Sequence, residues 1–333
     1  MNSADSDLAA IEHCKESYEK IVNEVGKVIV GQKDVVDDVL MALFANAHIL
    51  LMGVPGLAKT LLIATLGKVL QLDFERVQFT PDLLPGDITG SIVVDEIPST
   101  GRHEFRFIEG PVFTNLLLAD EINRTSPKTQ ASLLQAMQER EVTTGRETRK
   151  LPRPFLVMAT QNPLDQEGTY PLPEAQLDRF MFNTLVDYPT NDELITIVER
   201  TTSGHEATVN GIMTGEQIIE IQDVVRRIPA ARPVVDYAVR LSAASRPKDP
   251  MAPEFVKQYL SWGAGPRAAQ YLILGAKAHA VLQGNAHASI EDVQRVSRSV
   301  MRHRVSLNFN ALADKLTDVE VVDRLIKEVP TEA

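Results

Sequence analysis

The segment that most constrains the folding of this chain is Gly53-Val-Pro-Gly-Leu-Ala-Lys-Thr60. It directly follows the short apolar run His48–Met52 and leads into the helical pattern Thr60–Leu70. A glycine-rich turn between a strand and a helix lets backbone amides approach an anion at the positive end of the helix. A lysine and a threonine in that turn can reach phosphate oxygens and a divalent metal. The segment therefore predicts a phosphate-binding loop within an α/β fold.

Further runs have the length and composition of buried strands. They are Phe74–Phe79, Leu116–Ala119, Phe155–Thr160 and Phe182–Val186. Continuous rather than alternating apolar residues are typical of a parallel sheet that helices cover on both faces, and helical patterns separate these runs. Together with His48–Met52, they predict a five-stranded parallel sheet in a doubly wound α/β domain.

Two segments interrupt the alternation of strands and helices. Residues 84–111 and 141–154 combine glycines, prolines and strand-like pairs, which predicts a hairpin insertion in each. After residue 190 the strand-like runs stop, and helical patterns punctuated by prolines follow. We therefore expect an α/β nucleotide-binding domain at residues 1–189 and an all-helical lid domain at residues 190–333.

An apolar run that ends in two acids lies downstream of the loop, at Leu116–Glu121. Asp120 is placed to hold Mg²⁺ together with Thr60, and Glu121 is placed to polarise a water that attacks phosphate. A strand that ends in acids is common, but its combination with the loop is specific. The two motifs together predict binding and hydrolysis of a nucleoside triphosphate.

Other polar residues extend this pattern. Asn162 follows the strand-like run Phe155–Thr160, and neighbouring parallel strands end at the same edge of a sheet, so its amide can orient the attacking water. Arg179 and Arg267 can each act as a fixed positive fork for phosphate charge. For each residue taken alone, a turn-forming asparagine or a surface ion pair is the simpler interpretation.

Composition excludes several classes of protein. The net charge of −11 and the small aromatic share of 5% argue against a nucleic-acid partner, and the basic run between residues 295 and 304 is interpreted as a solvated helix face. The single cysteine, Cys14, excludes an internal disulfide and a cysteine-rich zinc site. No apolar run reaches the roughly 18 residues of a membrane span, and the acidic N-terminal segment does not resemble a signal peptide. We expect a cytoplasmic protein.

From Gly31 to about Arg304, these motifs resemble the AAA+ ATPases of the MoxR type. Residues 53–60 are similar to the Walker A loop of that family, 117–125 to its Walker B strand, 159–163 to its sensor 1 segment and 168–180 to its arginine-finger region. Ala58 stands where the general loop pattern has glycine, as it does in the MoxR family. We expect this change to be mild, because alanine tolerates the start of a helix.

The resemblance implies a hexameric ring with ATP and Mg²⁺ at each subunit interface. Asn162 would be sensor 1, Arg267 would be sensor 2, and Arg179 would act on the nucleotide of a neighbouring subunit. The implied nucleotide-binding residues are Val30, Gly31, Gln32, Gly53, Val54, Pro55, Gly56, Leu57, Ala58, Lys59, Thr60, Leu61 and Arg267. The metal ligands would be Thr60 and Asp120, and the catalytic residues would be Lys59, Glu121, Asn162, Arg179 and Arg267.

The resemblance further implies chaperone-like remodelling or maturation of a protein client, with a von Willebrand factor A domain protein as the expected partner. We expect the two insertions to transmit the nucleotide state to this client through tips that include Thr100–Glu104 and Arg146. The alternatives are the ATPase subunit of a magnesium chelatase, a nucleic-acid-linked AAA+ motor, and a scaffold that uses ATP as an assembly switch. The loop with Ala58 and the stretch Gln161–Tyr170 favour the MoxR type over the chelatase.

Overall fold

The structure is a computed structural model that describes residues 3–97, 102–145, 147–163, 168–203 and 207–332. Its strands are β1 (Ile49–Met52), β2 (Phe74–Gln78), β3 (Gly90–Ile97), β4 (Arg102–Glu109), β5 (Leu116–Asp120), β6 (Glu141–Thr144), β7 (Glu147–Lys150), β8 (Leu156–Gln161), β9 (Phe182–Leu185), β10 (Leu260–Trp262) and β11 (Ser306–Leu307). Its helices are α1 (Ser3–Gly26), α2 (Lys33–Phe44), α3 (Lys59–Val69), α4 (Pro85–Thr89), α5 (Pro127–Glu139), α6 (Glu174–Leu177), α7 (Asn191–Thr202), α8 (Gly215–Arg227), α9 (Arg232–Ala244), α10 (Glu254–Tyr259), α11 (Pro266–Leu282), α12 (Ile290–Met301), α13 (Phe309–Ala313) and α14 (Asp318–Glu328).

The central layer is a five-stranded parallel sheet in the order β2-β5-β8-β1-β9. Its apolar side chains alternate between two cores. Ile49 and Leu51 pack on one face in the larger core, while Leu50 packs on the other face with Leu117 and Val157. Burial of both faces explains why the strands read as continuous apolar runs. The predicted parallel α/β fold is confirmed.

The register of this sheet brings the ends of its inner strands together. Met52 at the end of β1 is paired with Gln161 at the end of β8, and Asp120 at the end of β5 is paired with Gln78 of β2. Segments that leave these strands therefore emerge at one edge of the sheet. This edge is where a parallel α/β sheet binds its ligands.

Each of the two insertions contains an antiparallel hairpin. β3 pairs with β4, and β6 pairs with β7. The hairpins also contact each other, because the guanidinium carbon of Arg149 lies 4.1 Å from the ring centroid of Phe107. Residues 98–101 and Arg146, on which the expectation about the tips depends, lie outside the described residues.

The C-terminal part of the chain is helical and shares the larger core with the sheet. Leu272 and Ala276 of α11 belong to the same buried cluster as the β1 residues. The only strands here among the described residues are β10 and β11, which form a short antiparallel pair. No helix within the described ranges is long and apolar enough to cross a bilayer.

The N-terminal helix is more deeply integrated than its polar composition indicates. Cys14 and Ile21 of α1 are fully buried, and the helix contacts α3, α8 and α11. Burial raises the pKa of the Cys14 thiol to about 12, so that the thiol stays protonated. Helix α1 therefore joins the sheet layer to the C-terminal helices.

The basic run between residues 295 and 304 is only in part the solvated helix face expected from the sequence, because the Arg298 side chain is exposed while that of Arg304 is buried. Its guanidinium groups meet aspartates from other elements: Arg295 with Asp34 and Asp38, Arg298 with Asp323, Arg302 with Asp318, and Arg304 with Asp178. Acids from other parts of the chain thus pair with the arginines of this run.

Candidate active site

The glycine-rich loop connects β1 to α3 at the ligand edge of the sheet. The Gly53 amide donates to the Gln161 carbonyl over 3.2 Å, and Gly56 takes a left-handed conformation with φ of 87°. Helix α3 begins at Lys59, and no side chain caps its N-terminus. The first amides of a helix need an acceptor, so this uncapped end fits a phosphate group.

Ala58 departs from the expectation of a mild change. Its backbone is left-handed, with φ of 54° and ψ of 21°. Tolerance of a helix start does not help alanine here, because the residue has not yet taken a helical conformation. For a residue with a Cβ the left-handed conformation costs roughly 1–2 kcal/mol. The loop therefore carries backbone strain that glycine would not have.

The first acid, Asp120, is held on both carboxylate oxygens. Its Oδ1 accepts from Thr160 Oγ1 over 2.6 Å, and its Oδ2 accepts from Arg76 Nη2 over 2.6 Å. With the Thr60 hydroxyl, which lines the same cleft, Asp120 provides the hard oxygen ligands that Mg²⁺ prefers. These oxygens fit the metal, and Asp120 can bind it when Arg76 gives up its contact with Oδ2.

The second acid, Glu121, is also bound by side chains. Its Oε2 accepts from Gln78 Nε2 and from Arg124 Nη1, each over 2.9 Å, and its amide donates to Thr160 Oγ1 over 2.8 Å. Glu121 has a left-handed backbone with φ of 57°. These contacts fix the orientation of a carboxylate that lines the cleft.

Sequence reasoning missed Arg76, Gln78 and Thr160. A signal for the first two is present, because Arg76 and Gln78 alternate along β2 and therefore point to the same side of the strand. That β2 lies beside the acidic strand β5 is a fact of sheet order, which periodicity does not reveal.

Most of the predicted site residues line one cleft of about 470 Å³. These are Gly53, Pro55, Gly56, Leu57, Ala58, Lys59, Thr60, Leu61, Asp120, Glu121 and Asn162. Lys59 Nζ donates to the Gly53 carbonyl over 2.6 Å. Burial lowers the pKa of this ammonium, and the Asp120 and Glu121 carboxylates partly oppose the shift. Val54 packs against the larger core and does not line the cleft.

A second, more apolar cavity of about 530 Å³ adjoins this cleft and shares Pro55, Leu57 and Leu61 with it. Val30 and Gln32 line this cavity as expected, and Gln32 Nε2 donates to the Leu57 carbonyl over 3.1 Å. The opposite wall was not foreseen. It consists of Tyr188, Pro189, Leu194, Ile197, Arg200 and Thr201, from α7 and the segment before it.

Gly31 lies next to this cavity without lining it. Its φ is 69°, and a Cβ added there would meet the Glu193 carboxylate. The left-handed backbone favours glycine at this position, and a larger residue would also have to displace the Glu193 side chain. Gly31 therefore allows α7 to approach the segment ahead of α2.

Arg179 and Arg267 are not brought to the cleft of their own chain. Both line a separate cavity of about 190 Å³ that has no residue in common with the cleft. Arg179 Nη1 donates to the Leu134 carbonyl over 2.8 Å, and Arg267 Nη1 lies 3.6 Å from Asp178 Oδ2. The structure thus groups the two arginines together, and it separates them from Lys59, Glu121 and Asn162.

A buried arginine fixes the backbone around Arg179. The guanidinium of Arg304 is almost fully buried and donates to Asp178 Oδ1 over 2.8 Å, to the Phe180 carbonyl over 2.6 Å and to the Met181 carbonyl over 3.2 Å. Tyr271 Oη donates to the Arg179 carbonyl over 3.1 Å. Helix α11 and the segment that follows α12 therefore hold the segment that carries Arg179.

Comparisons with known proteins agree with this geometry. Residues 48–182 match the sequence profile described as ATPase family associated with various cellular activities (AAA), and residues 253–325 match the AAA lid domain. The chain is 41% identical to Chaperone MoxR1 of Mycobacterium tuberculosis, over 97% of this chain and 83% of that protein. It is 28% identical to Protein MoxR of Methylorubrum extorquens, over 92% of each.

A solved structure shows the same architecture. The crystal structure of a proposed ATPase from Cytophaga hutchinsonii superposes with a TM-score of 0.90 at 37% identity, over 99% of both chains. With the phosphate-binding loop, the acid pair and the helical lid described above, the chain belongs to the MoxR type of the AAA+ ATPases.

Proposed function

We propose that this protein binds ATP with Mg²⁺ in the cleft around Lys59 and hydrolyses it. One observation carries the proposal: the uncapped N-terminus of α3, the two acids and Asn162 converge on a single cleft. Lys59 would contact the β and γ phosphates, while Thr60 and Asp120 would hold the metal. When bound, Mg²⁺ supplies positive charge against the phosphate oxygens.

In this mechanism, Glu121 is the general base and Asn162 orients the attacking water. Gln78 and Arg124 both bind Oε2 of Glu121, so its other oxygen, Oε1, would accept the proton of the water. The apolar cavity lined by Val30, Gln32 and α7 would take the base of the nucleotide, since apolar walls with a few polar groups are typical of such sites.

We also infer a ring, which we propose is hexameric. Arg179 and Arg267 lie outside the cleft of their own chain, yet a guanidinium near the transferred phosphate is a recurring part of such sites. A neighbouring subunit can supply both arginines. Each active site would then be complete only at an interface.

The output would be chaperone-like remodelling or maturation of a protein client in the cytoplasm. One relative carries the name Chaperone MoxR1, and the β3–β4 hairpin of this chain presents exposed apolar side chains, including Phe105 and Val94. A von Willebrand factor A domain protein is the partner that we propose to test first.

The catalytic assignment is tested with Lys59→Ala, Glu121→Gln and a control, Glu75→Gln, which changes an exposed carboxylate on β2. Lys59→Ala should lose most ATP affinity. Glu121→Gln should bind ATP normally and turn it over about a thousandfold more slowly, because the base is lost. Glu75→Gln should match the wild type. Wild-type turnover by Glu121→Gln would refute the role of Glu121.

The ring is tested by mixing inactive variants. Arg179→Ala keeps its phosphate loop and Lys59→Ala keeps its arginine, so a mixture forms some intact interfaces and should regain part of the activity. A mixture of Arg179→Ala with the double variant Lys59→Ala/Arg179→Ala forms no intact interface and should stay inactive. Equal activity of the two mixtures would contradict action across the interface.

A further inference from the structure

The cavity that holds Arg179 and Arg267 contains two more arginines. Arg140, from the end of α5, and Arg226, from the last turn of α8, line the same space of about 190 Å³. Among the described residues no carboxylate lines it, and its remaining walls consist of neutral side chains such as Asn46, Gln138 and Tyr271. We call this cavity the arginine pocket.

The positive charge of the arginine pocket is poorly compensated within the chain. The guanidinium groups of Arg140, Arg179 and Arg226 form no salt bridge with any residue that the structure describes, and Arg267 approaches only Asp178 at 3.6 Å. That carboxylate is already bound to Arg304 at 2.8 Å. Guanidinium groups that line one small cavity repel one another unless an anion lies between them.

Arg226 contributes to this repulsion. The pKa of Arg140 is lowered by burial and by the positive charges of Arg153 and Arg226. The pKa of Lys277 is lowered by burial and by Arg226. The Arg226 side chain is exposed, and its guanidinium has no hydrogen-bond partner in the described part of the chain. It is therefore free to bind a ligand.

We propose that the arginine pocket receives the triphosphate of the nucleotide bound by the neighbouring subunit, and that Arg226 contacts this triphosphate as a third guanidinium beside Arg179 and Arg267. This inference rests on the proposed function, and it adds a residue from α8 to the interface. Guanidinium groups bind phosphate oxygens through paired, charge-assisted hydrogen bonds. A triphosphate supplies the several negative charges that the pocket lacks.

The neighbouring residue on α8 offers a matched control. Arg227 pairs with Asp7, with its Nη2 2.6 Å from Asp7 Oδ1, and it does not line the pocket. Both Arg226→Ala and Arg227→Ala remove one exposed arginine from the same helical turn. Arg226→Ala should lower turnover about a hundredfold while leaving ATP affinity unchanged, and the thermal midpoint should not fall, because the substitution removes a like charge from the pocket. Arg227→Ala should keep wild-type turnover, because Arg227 pairs with Asp7 and does not line the pocket.

Mixing separates an effect across the interface from one within the subunit. Arg226→Ala combined with Lys59→Ala should regain activity, whereas Arg226→Ala combined with the double variant Lys59→Ala/Arg226→Ala should not. Arg226→Lys keeps the charge without the planar fork and should recover part of the loss. A failure of the first mixture to regain activity would place Arg226 in its own subunit's site and overturn the proposal.

A free polyphosphate has the same chemistry as the neighbour's triphosphate. Inorganic tripolyphosphate titrated into dilute, dissociated Lys59→Ala protein tests this source. A pocket that serves the neighbour's nucleotide should show weak binding there and no effect of tripolyphosphate on the turnover of assembled wild type. Tight binding that is lost in Lys59→Ala/Arg226→Ala, with a change in wild-type turnover, would instead indicate a regulatory polyphosphate site and would overturn the proposal.

Failure of this inference differs from failure of the proposed function. If Arg226→Ala has wild-type turnover while the mixture of Arg179→Ala with Lys59→Ala regains activity, only the role of Arg226 is wrong. If the wild type does not hydrolyse ATP, the proposed function itself is wrong, and if the Arg179 mixture stays inactive, the proposed ring with arginines that act across the interface is wrong.

Discussion

At the scale of single residues, the left-handed conformation of Ala58 makes a simple prediction. Ala58→Gly removes a strain of roughly 1–2 kcal/mol. The greater flexibility of glycine in the unfolded chain lowers stability by roughly 0.5–1 kcal/mol and so offsets part of this gain. The free energy of unfolding should therefore rise by about 0.5–1 kcal/mol, as measured by urea denaturation.

Ala64, in the helix that Ala58 precedes, supplies a control whose stability change should have the opposite sign. It lies within α3, where glycine costs about 1 kcal/mol relative to alanine. Ala64→Gly should therefore lower the free energy of unfolding. If both variants shift stability in the same direction, the strain assigned to Ala58 is wrong.

His48 connects three elements of the fold. Its Nδ1 accepts from the Val157 amide over 3.0 Å, and its Nε2 lies 3.0 Å from the Met137 carbonyl, to which it donates in this tautomer. Both ring nitrogens are therefore used by a neutral imidazole. Burial lowers the pKa of His48 to about 4.

This shift predicts loss of stability in mild acid. Between the ordinary histidine pKa of 6.5 and the folded value of about 4, the unfolded chain binds a proton that the folded chain does not. The free energy of unfolding therefore falls as the pH is lowered through this window, by about 3 kcal/mol in total. His48→Gln should be less stable at neutral pH but should lose less stability between pH 6.5 and pH 4.

Two other histidines make this measurement specific. His287 is exposed, so His287→Gln tests whether loss of any imidazole gives the same change. Burial and the neighbouring Arg304 lower the pKa of His303 well below its ordinary value. The free energy of unfolding of His48→Gln should therefore still fall somewhat as the pH is lowered. If His48→Gln shows the same pH dependence of the free energy of unfolding as the wild type, His48 is not the cause of the acid destabilisation.

At the scale of elements, the β3–β4 hairpin has one apolar face. Ile92 is paired with Phe107 and Val94 with Phe105, and directly paired side chains share a face. At its base, Phe107 packs edge-to-face on Phe113 and is covered by Arg149. Further out, Phe105 is 75% exposed and Val94 is 54% exposed. The outer half of this face is a candidate surface for the proposed client.

Phe105→Ser is expected to leave basal ATP turnover unchanged, because Phe105 does not line the cleft and its exposed side chain contributes little to packing. It should abolish the stimulation of turnover by the client protein. Phe107→Ser is the contrasting variant: it should lower the thermal midpoint, because it removes the packing at the hairpin base. Full stimulation of Phe105→Ser by the client would exclude this face as the contact surface.

At the scale of the whole molecule, distant elements meet through buried polar contacts. The Asp38 carboxylate of α2 accepts from Thr184 Oγ1 of β9 and from Ser299 Oγ of α12, each over 2.7 Å. Burial raises the pKa of Asp38, and these hydrogen bonds oppose the shift. These hydrogen bonds hold α12 of the lid against the sheet. The position of Arg267 relative to the cleft therefore depends on contacts between distant parts of the chain.

The position of Arg267 predicts that it acts between subunits. Arg267→Ala should bind ATP normally, lose most turnover and regain activity when mixed with Lys59→Ala. Turnover per subunit should also rise with protein concentration as rings assemble. A loss of activity that mixing does not repair, with turnover that stays flat while sedimentation shows dissociation, would indicate that Arg267 serves its own subunit.

The sequence alone was sufficient to predict the parallel sheet, and the loop, the acid pair and Asn162 that it singled out line one cleft of the structure. Each of these depends on contiguous residues, and consecutive parallel strands necessarily end at one edge, so local patterns were enough. The same reasoning identified residues 84–111 and 141–154 as hairpins, because β pairing within a hairpin is also local.

Only the tertiary structure decided the contacts between residues far apart in the chain. It placed Arg179 and Arg267 with Arg226 outside the cleft and paired the basic run of α12 with distant aspartates. It also buried α1 and closed the apolar cavity with α7. Charge and periodicity describe a segment by itself, whereas these features depend on which surface of another segment it meets.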